Sequence, residues 1–134
     1  MIVGLGTDVL AVARMAASLA DPGLRDTVFT PDEVAYCESM RHPAQHYAAR
    51  FAAKEALFKA LAADGRDGMR WREVEVRREP SGRPTLALSG ATRVLAERLA
   101  VDGVFVTLTH TSEHAAATVV LETRGAPGGE RRAG

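Results

Sequence analysis

The sequence predicts a single domain of the mixed α+β class. A chain of 134 residues fits one domain. Residues 44–63 consist mainly of strong helix formers with no interior glycine or proline, so they predict a long helix. Several other segments alternate apolar with polar residues, which is typical of half-exposed strands. Because these helices and strands follow one another in a mixed order, we expect an α+β fold.

The first forty residues predict one strand and two helices. Residues 2–9 have the pattern of a strand that contains two glycines and ends at an acidic residue, and the apolar spacing within residues 10–19 suits a short helix. The Asp-Pro-Gly run at residues 21–23 predicts a stop. Thr30, followed by proline and then by Glu33, predicts the start of a second helix that runs to about Met40.

The long helix and the elements after it complete the prediction. Tyr47, Phe51, Phe58 and Leu61 fall on one apolar stripe of the long helix. The later elements are strands at residues 71–78, 85–88, 104–110 and 115–122, and a helix at residues 91–100. We expect the last two strands to form a hairpin around residues 111–114. Residues 1–123 then form the domain, and residues 124–134, which lack an apolar anchor, form a disordered tail.

The charge balance and the cysteine count exclude several classes of protein. Lys and Arg number 17 and Asp and Glu number 17, so the formal net charge is zero. With no basic field and no polybasic run, we expect neither a nucleic-acid partner nor a membrane partner. A single cysteine, Cys37, excludes an intrachain disulfide and any zinc site that needs several thiolates. Because no signal peptide or long apolar segment is visible, we expect a cytoplasmic protein.

The first group of candidate functional residues begins inside the first predicted strand and continues beyond its end. Two glycines precede Asp8, and Arg14 lies six residues further along. Glycines let a backbone or a ligand approach closely, and an aspartate at a strand end can reach a cation. The alternative is purely structural: a strand that contains glycines, followed by an aspartate that caps a helix.

The second group lies on the long helix. Glu55 and Lys59 are four residues apart and therefore share one face of the helix. They are either a solvated ion pair or a pair in which Glu55 binds a hard cation and Lys59 neutralises phosphate charge. Arg50 is a further phosphate candidate. Lys54, next to Glu55 in sequence, is expected to point elsewhere, into solvent.

The third group closes the strand at residues 104–110. His110 is followed by Thr111 and preceded by a threonine, and a histidine beside hydroxyls can bind phosphate or transfer a proton. The alternative is a structural histidine. His42, His46 and His114 have no comparable setting, and we interpret them as surface residues.

Together the motifs GLGTDV, RFAAKEALFKAL and LTHTSEHAAATVV resemble the holo-acyl-carrier-protein synthase family of small phosphopantetheinyl transferases. The most specific part is FAAKEA followed by Lys59, and the resemblance covers about residues 2–122. It implies the 4′-phosphopantetheinyl transferase fold, in which a long helix packs on an antiparallel sheet. It also implies a trimer with active sites between subunits.

The resemblance implies an activity and a set of site residues. The activity is Mg²⁺-dependent transfer of the phosphopantetheine arm of coenzyme A to a serine of apo acyl carrier protein, with release of 3′,5′-ADP. The implied metal ligands are Asp8 and Glu55. The implied catalytic residues are Glu55, as a base acting directly or through a metal-bound water, Lys59 and His110. The implied coenzyme A contacts are Arg50, Lys59, Gly82, Arg83, Pro84, His110 and Thr111, and Arg14 is implied to meet the carrier protein.

The sequence departs from the family pattern in places, and other functions stay open. Thr7 stands where an aliphatic residue is usual, and the helix after Arg14 is alanine-rich with little positive charge. The choice between a fatty-acid and a polyketide carrier is therefore open. The alternatives are another magnesium-dependent, nucleotide-handling transferase, a non-catalytic module that binds coenzyme A or a carrier, and a structural subunit of an oligomer.

Overall fold

One long helix lies across an antiparallel sheet in the computed structural model, which describes residues 1–62 and 70–124. The strands are β1 (Ile2–Ala11), β2 (Val74–Arg78), β3 (Pro84–Leu88), β4 (Gly103–His110) and β5 (His114–Glu122). The helices are α1 (Val12–Ser18), α2 (Pro22–Val28), α3 (Pro31–Glu38), α4 (Pro43–Ala60) and α5 (Gly90–Arg98). A short 3₁₀ turn, Trp71–Glu73, precedes β2.

The strands form two antiparallel sheets. The larger has the order β1-β5-β4, and β2 pairs with β3 in the smaller. In the larger sheet, Asp8 is opposite Ala117 and His110 is opposite Ala115. Successive strand residues face opposite sides of a sheet, so Asp8 and His110 lie on the same face. The predicted α+β class, with a long helix on an antiparallel sheet, is confirmed.

The face that carries Asp8 packs on α4 and forms the core. The buried residues of this core are mostly small or aliphatic: Ala52, Ala53, Ala56, Leu57, Ala117, Val119 and Leu121. Of the predicted apolar stripe, Tyr47, Phe58 and Leu61 are buried and Phe51 is half-buried. Small side chains on both surfaces let the helix and the sheet approach closely.

Two glycines bring β1 against the backbone of α4. A Cβ atom on Gly6 would overlap the carbonyl oxygen of Ala56, and one on Gly4 would overlap that of Ala60. Because backbone atoms of a helix cannot move aside as a flexible side chain can, only glycine fits at these two positions. From the sequence, the glycines are expected to admit either a backbone or a ligand. In the structure they admit the backbone of α4.

The first helix ends at Ser18, before the predicted stop at residues 21–23, but the sequence did not predict the helix α2 that begins there. Asp21 is the N-cap of α2, and its Oδ1 accepts a hydrogen bond from the Gly23 N–H at 2.9 Å. Pro22 occupies the first helical position, where a missing N–H does no harm. The same residues can end one helix and begin the next.

Other boundaries shift by a few residues. The strand β1 extends to Ala11, opposite His114, so the helix predicted from residue 10 begins at Val12. The start of α3 is as predicted, since Thr30 and Glu33 form a reciprocal capping box. The strand predicted from residue 71 begins as the 3₁₀ turn. The predicted disordered tail after Arg124 lies outside the described residues.

The prediction that Lys54 points into solvent is wrong: the side chain is fully buried. Its Nζ donates to Glu33 Oε1 at 2.8 Å, to the Trp71 carbonyl at 3.2 Å and to the Val74 carbonyl. Glu33 Oε2 also accepts from the Val76 N–H at 2.8 Å. Burial lowers the pKa of Lys54 from its usual value, and Glu33 opposes that effect. This ion pair connects α3, α4 and the start of β2 inside the core.

Within the described parts of the chain, none of the helices combines the length and the apolar character needed to cross a bilayer.

Candidate functional site

The candidate site begins where β1 meets α4. Lys59 Nζ donates to Asp8 Oδ1 at 2.9 Å and to the Thr7 carbonyl at 3.0 Å. The Asp8 side chain is mostly covered, whereas the Lys59 side chain is more than half exposed. The structure therefore joins two of the predicted site residues that are distant in sequence.

Glu55 lies on the same stretch of α4. It precedes Lys59 by four residues, about one helical turn, and so shares its face. The contacts of β1 move toward the start of α4 as the strand advances, from Ala60 at Gly4 to Ala56 at Gly6. Asp8 is the next residue on that face of the strand, so it lies toward the turn of the helix that carries Glu55.

A basic pocket of about 280 Å³ lies toward the other end of α4. Its lining residues are His46, Ala49, Arg50, Arg78, Leu108, Thr109 and His110. Arg50 is only 2% exposed, and its Nε has no hydrogen-bond partner among the described residues. Its guanidinium lies over the Tyr36 ring at 4.2 Å from the centroid. A buried cation with an unused donor beside a pocket is suited to bind an anion.

His110 and His46 face each other in this pocket. Their ring centroids are 4.9 Å apart, and the His46 ring also meets the Tyr36 ring edge at 5.9 Å. Burial, with His110 next in importance, lowers the pKa of His46 below its usual value. His46 is half-buried and lines the pocket, a setting that its interpretation as one more surface histidine did not include. Its spacing of four residues before Arg50 on one helix was the signal that could have identified it.

Arg78 is the second pocket residue that the sequence did not identify. In the sequence, the alternation of apolar and charged residues over residues 71–78 predicts several exposed charges, and Arg78 is one of them. In the structure it lies with its guanidinium 5.4 Å from the Tyr36 centroid, and its Nη1 donates to the Gly82 carbonyl. Gly82 has a positive φ of 91° in the turn between β2 and β3. Arg78 thus links the pocket to the turn predicted to border coenzyme A.

Four other residues predicted for the site do not line this pocket: Arg14, Arg83, Pro84 and Thr111. Arg83 is exposed and Pro84 half-buried in the β2–β3 turn. The Thr111 hydroxyl accepts from the N–H groups of Glu113 and His114 at 3.1 and 3.0 Å, so it stabilises the β4–β5 turn. Arg14 is exposed on α1, on the side away from the buried Val12 and Met15. Their assigned roles stay predictions.

The carboxylates of the site fit a magnesium ion that shares its ligands with a substrate. Within residues 1–62 and 70–124, no three His, Cys, Asp or Glu side chains gather into a metal centre. Mg²⁺ is, however, usually held by one or two carboxylates, with phosphate oxygens and waters completing its shell. Asp8 already attracts the ammonium of Lys59, which shows that this position favours a cation.

Comparison with known proteins identifies the family. The family model described as the 4′-phosphopantetheinyl transferase superfamily matches residues 4–119. A holo-[acyl-carrier-protein] synthase of Anaeromyxobacter sp. (strain K) is 48% identical over 93% of this chain and 99% of its own. The acyl carrier protein synthase structure of Mycobacterium tuberculosis is 37% identical, with a TM-score of 0.70, and the comparison covers 92% of this chain and 99% of that one.

A further solved structure was determined with a ligand. The holo-(acyl-carrier-protein) synthase of Bacillus anthracis, in complex with coenzyme A (3′,5′-ADP), superposes with a TM-score of 0.74. It is 28% identical, and the comparison covers 92% of this chain and 98% of that one. On the family match and the identity to the Anaeromyxobacter protein, the chain belongs to the 4′-phosphopantetheinyl transferase superfamily, among the holo-[acyl-carrier-protein] synthases.

Proposed function

We propose that this chain transfers the 4′-phosphopantetheine arm of coenzyme A to a serine of an apo acyl carrier protein. The observation that carries this proposal is the Asp8–Lys59 pair and the basic pocket along one helix, α4, in a member of this family. In the reaction, the serine Oγ bonds to the β-phosphorus and the bond from that phosphorus to the departing 3′,5′-ADP breaks. The serine proton passes to a base.

Lys59 is suited to stabilise the negative charge on the transferring phosphate. Its ammonium already lies at the mouth of the site, held by two oxygens and largely exposed. Phosphoryl transfer depends mainly on positioning and on electrostatic stabilisation of the phosphate oxygens. A primary ammonium on a flexible stem can turn from Asp8 to a phosphate oxygen without a change in the backbone.

Glu55 is proposed to receive the serine proton, directly or through a water. A magnesium ion held by Asp8 and Glu55 would supply positive charge that orients the diphosphate and stabilises the transition state. Because a carboxylate that ligates a cation has low proton affinity, the route through a water is favoured. His110 and Arg50 bind a phosphate of coenzyme A in the basic pocket, and the β2–β3 turn, Gly82 to Pro84, borders the adenine.

We also propose that three chains assemble, with active sites between them, in the cytoplasm. The face of the larger sheet that points away from α4 has Leu5, Val9 and Phe105 at 66, 67 and 44% exposure. An apolar face of this kind on a soluble protein is commonly covered by another subunit. Trimerisation would cover it with copies of the same chain.

Arg14→Ala is expected to raise the KM for the carrier protein several-fold and to leave the KM for coenzyme A unchanged. Arg14 is exposed on α1, and a charge at the rim of an interface acts mainly on association with an acidic partner. Steady-state kinetics with each substrate varied in turn measures both values. An equal change in both KM values would exclude a docking role, and Arg98→Ala on the exposed side of α5 is the matched control.

Intact-mass spectrometry tests the proposed function directly. An apo acyl carrier protein incubated with this protein, coenzyme A and Mg²⁺ is expected to gain the mass of one phosphopantetheine. The gain should vanish with EDTA and with a carrier whose acceptor serine is replaced by alanine. If several carriers gain no mass from a folded sample that binds coenzyme A, the chain is a binding module.

A further inference from the structure

We propose that His46 binds the phosphomonoester of coenzyme A and makes the binding of that phosphate depend on pH. The inference rests on the proposed function, since it takes coenzyme A as the ligand. It concerns a histidine that belongs to none of the motifs that carry the family resemblance.

The composition of the basic pocket is the first argument. Two arginines and two histidines line it together with Ala49, Leu108 and Thr109, and no residue with a carboxylate does. Arg50 is buried there with an unused Nε donor. A buried cation without a counter-charge is costly, and an entering anion offsets that cost. His46 belongs to the same wall, because its ring contacts that of His110 and it precedes Arg50 by one helical turn.

The position of the pocket decides which phosphate it receives. Arg50 precedes Glu55 by five residues and Lys59 by nine, which corresponds to roughly 7.5 and 13.5 Å along the helix axis. The diphosphate of coenzyme A is proposed to lie at Asp8, Glu55 and Lys59, so the pocket is left for the ligand's other phosphate. That phosphate is a monoester, whose charge approaches −2 above a pKa of about 6. Four basic groups match this higher charge.

The surroundings of His46 make it the pH-sensitive member of the pocket. The titratable groups around it are Tyr36 from α3, His42 at the N-cap of α4, Arg50 from α4, Arg78 from β2 and His110 from β4. All of them are neutral or positive near neutral pH. Burial, followed by these neighbours, lowers the pKa of His46 below its usual value and so disfavours the imidazolium in the free protein. A phosphate dianion reverses the local field and favours the imidazolium, so binding takes up a proton.

The sign of the pH dependence follows from that proton uptake. The ligand raises the pKa of His46, so the added affinity is present at low pH and is lost as pH rises through the bound-state value. A rise of one pKa unit corresponds to a tenfold gain in affinity. The phosphomonoester itself also titrates near pH 6, but its contribution cancels when two protein variants are compared at one pH.

Calorimetric titration of wild type and His46→Gln with coenzyme A at pH 8 and pH 6 tests the inference. Glutamine keeps a hydrogen-bond donor but does not titrate. We expect the ratio of the two Kd values to rise from near one at pH 8 to about threefold to fivefold at pH 6, and to approach tenfold only at lower pH. With dephospho-coenzyme A, which lacks the monoester, the ratio should stay near one at both pH values. His114→Gln, an exposed histidine outside the pocket, should behave as wild type.

A measurement on the unaltered chain makes the test independent of the variant's stability. The His46 imidazole resonances are titrated by NMR with and without 3′,5′-ADP, and the ligand is expected to raise its pKa by about one unit. An unchanged pKa, a pH-independent Kd ratio, or an equal effect with dephospho-coenzyme A would overturn the inference. Failure of wild type to bind coenzyme A would overturn the proposed function as well, whereas transfer without any His46 effect would overturn only the inference.

Discussion

Glu55→Gln is expected to lower the rate of phosphopantetheine transfer about 10²–10⁴-fold while the chain keeps its fold. The substitution preserves the shape of the side chain but removes both its negative charge and its ability to accept a proton. Glu55 lies one turn from Lys59, on the helix face that meets Asp8, so both losses fall where the transferring phosphate is proposed to lie. The initial rate of mass gain on the carrier protein at saturating Mg²⁺ gives the change.

A matched control separates chemistry from stability in this experiment. Glu97→Gln removes a carboxylate from the exposed side of α5, where it pairs only with Arg93 among the contacts described. We expect this variant to transfer at the wild-type rate. Unchanged turnover in Glu55→Gln would remove Glu55 from the mechanism. A loss of activity accompanied by a much lower melting temperature would instead indicate a structural role.

Lys54→Met is expected to lower the free energy of unfolding by about 3–5 kcal/mol. The substitution leaves the Glu33 carboxylate buried without its counter-charge, and it removes the hydrogen bonds that Lys54 donates to the carbonyls of Trp71 and Val74. Total stabilities of domains are about 5–15 kcal/mol, so the loss is a large fraction. The lowered pKa of Lys54 shows that burying its charge is itself costly. Removing one partner of the buried pair costs more, because the other charge then stays buried alone.

A double-mutant cycle measures the coupling between the two buried residues. Glu33→Gln keeps acceptors and donors of similar shape but removes the charge that Lys54 neutralises. We expect the double variant Lys54→Met, Glu33→Gln to lose about 1–3 kcal/mol less unfolding free energy than the two single variants lose together. Urea unfolding of the four proteins gives the values. Strict additivity would mean that the two charges do not stabilise each other in the folded chain.

Several residues of the site could be predicted from the sequence because local spacing determines them. Helical geometry alone places Glu55 and Lys59 on one face. The contact between Lys59 and Asp8 could be expected only through the family resemblance, since it depends on how β1 packs on α4. The capping box of Thr30 and Glu33 is also local, and the sequence predicted it correctly.

The residues that the sequence did not place depend on contacts between distant elements. Helical geometry turns Lys54 away from Glu55, as expected, but only the packing of α3 against α4 decides that it meets Glu33 and not solvent. His46 and Arg78 come from a helix and a strand that are far apart in sequence, and they meet at the Tyr36 ring. The Asp-Pro-Gly run both follows the end of α1 and begins α2, and the sequence predicted only the end, because one local pattern serves both purposes.

The glycines of β1 also bear on how this site survives sequence change. Gly4 and Gly6 rest against carbonyl oxygens of α4, so the spacing between strand and helix is set by main-chain atoms. Exchanges that keep the core side chains small can alter stability without changing the distance that Lys59 spans to Asp8. A larger residue at Gly4 or Gly6 would push the strand off the helix and widen that gap. The register of the two charged groups thus depends on a main-chain contact as much as on the groups themselves.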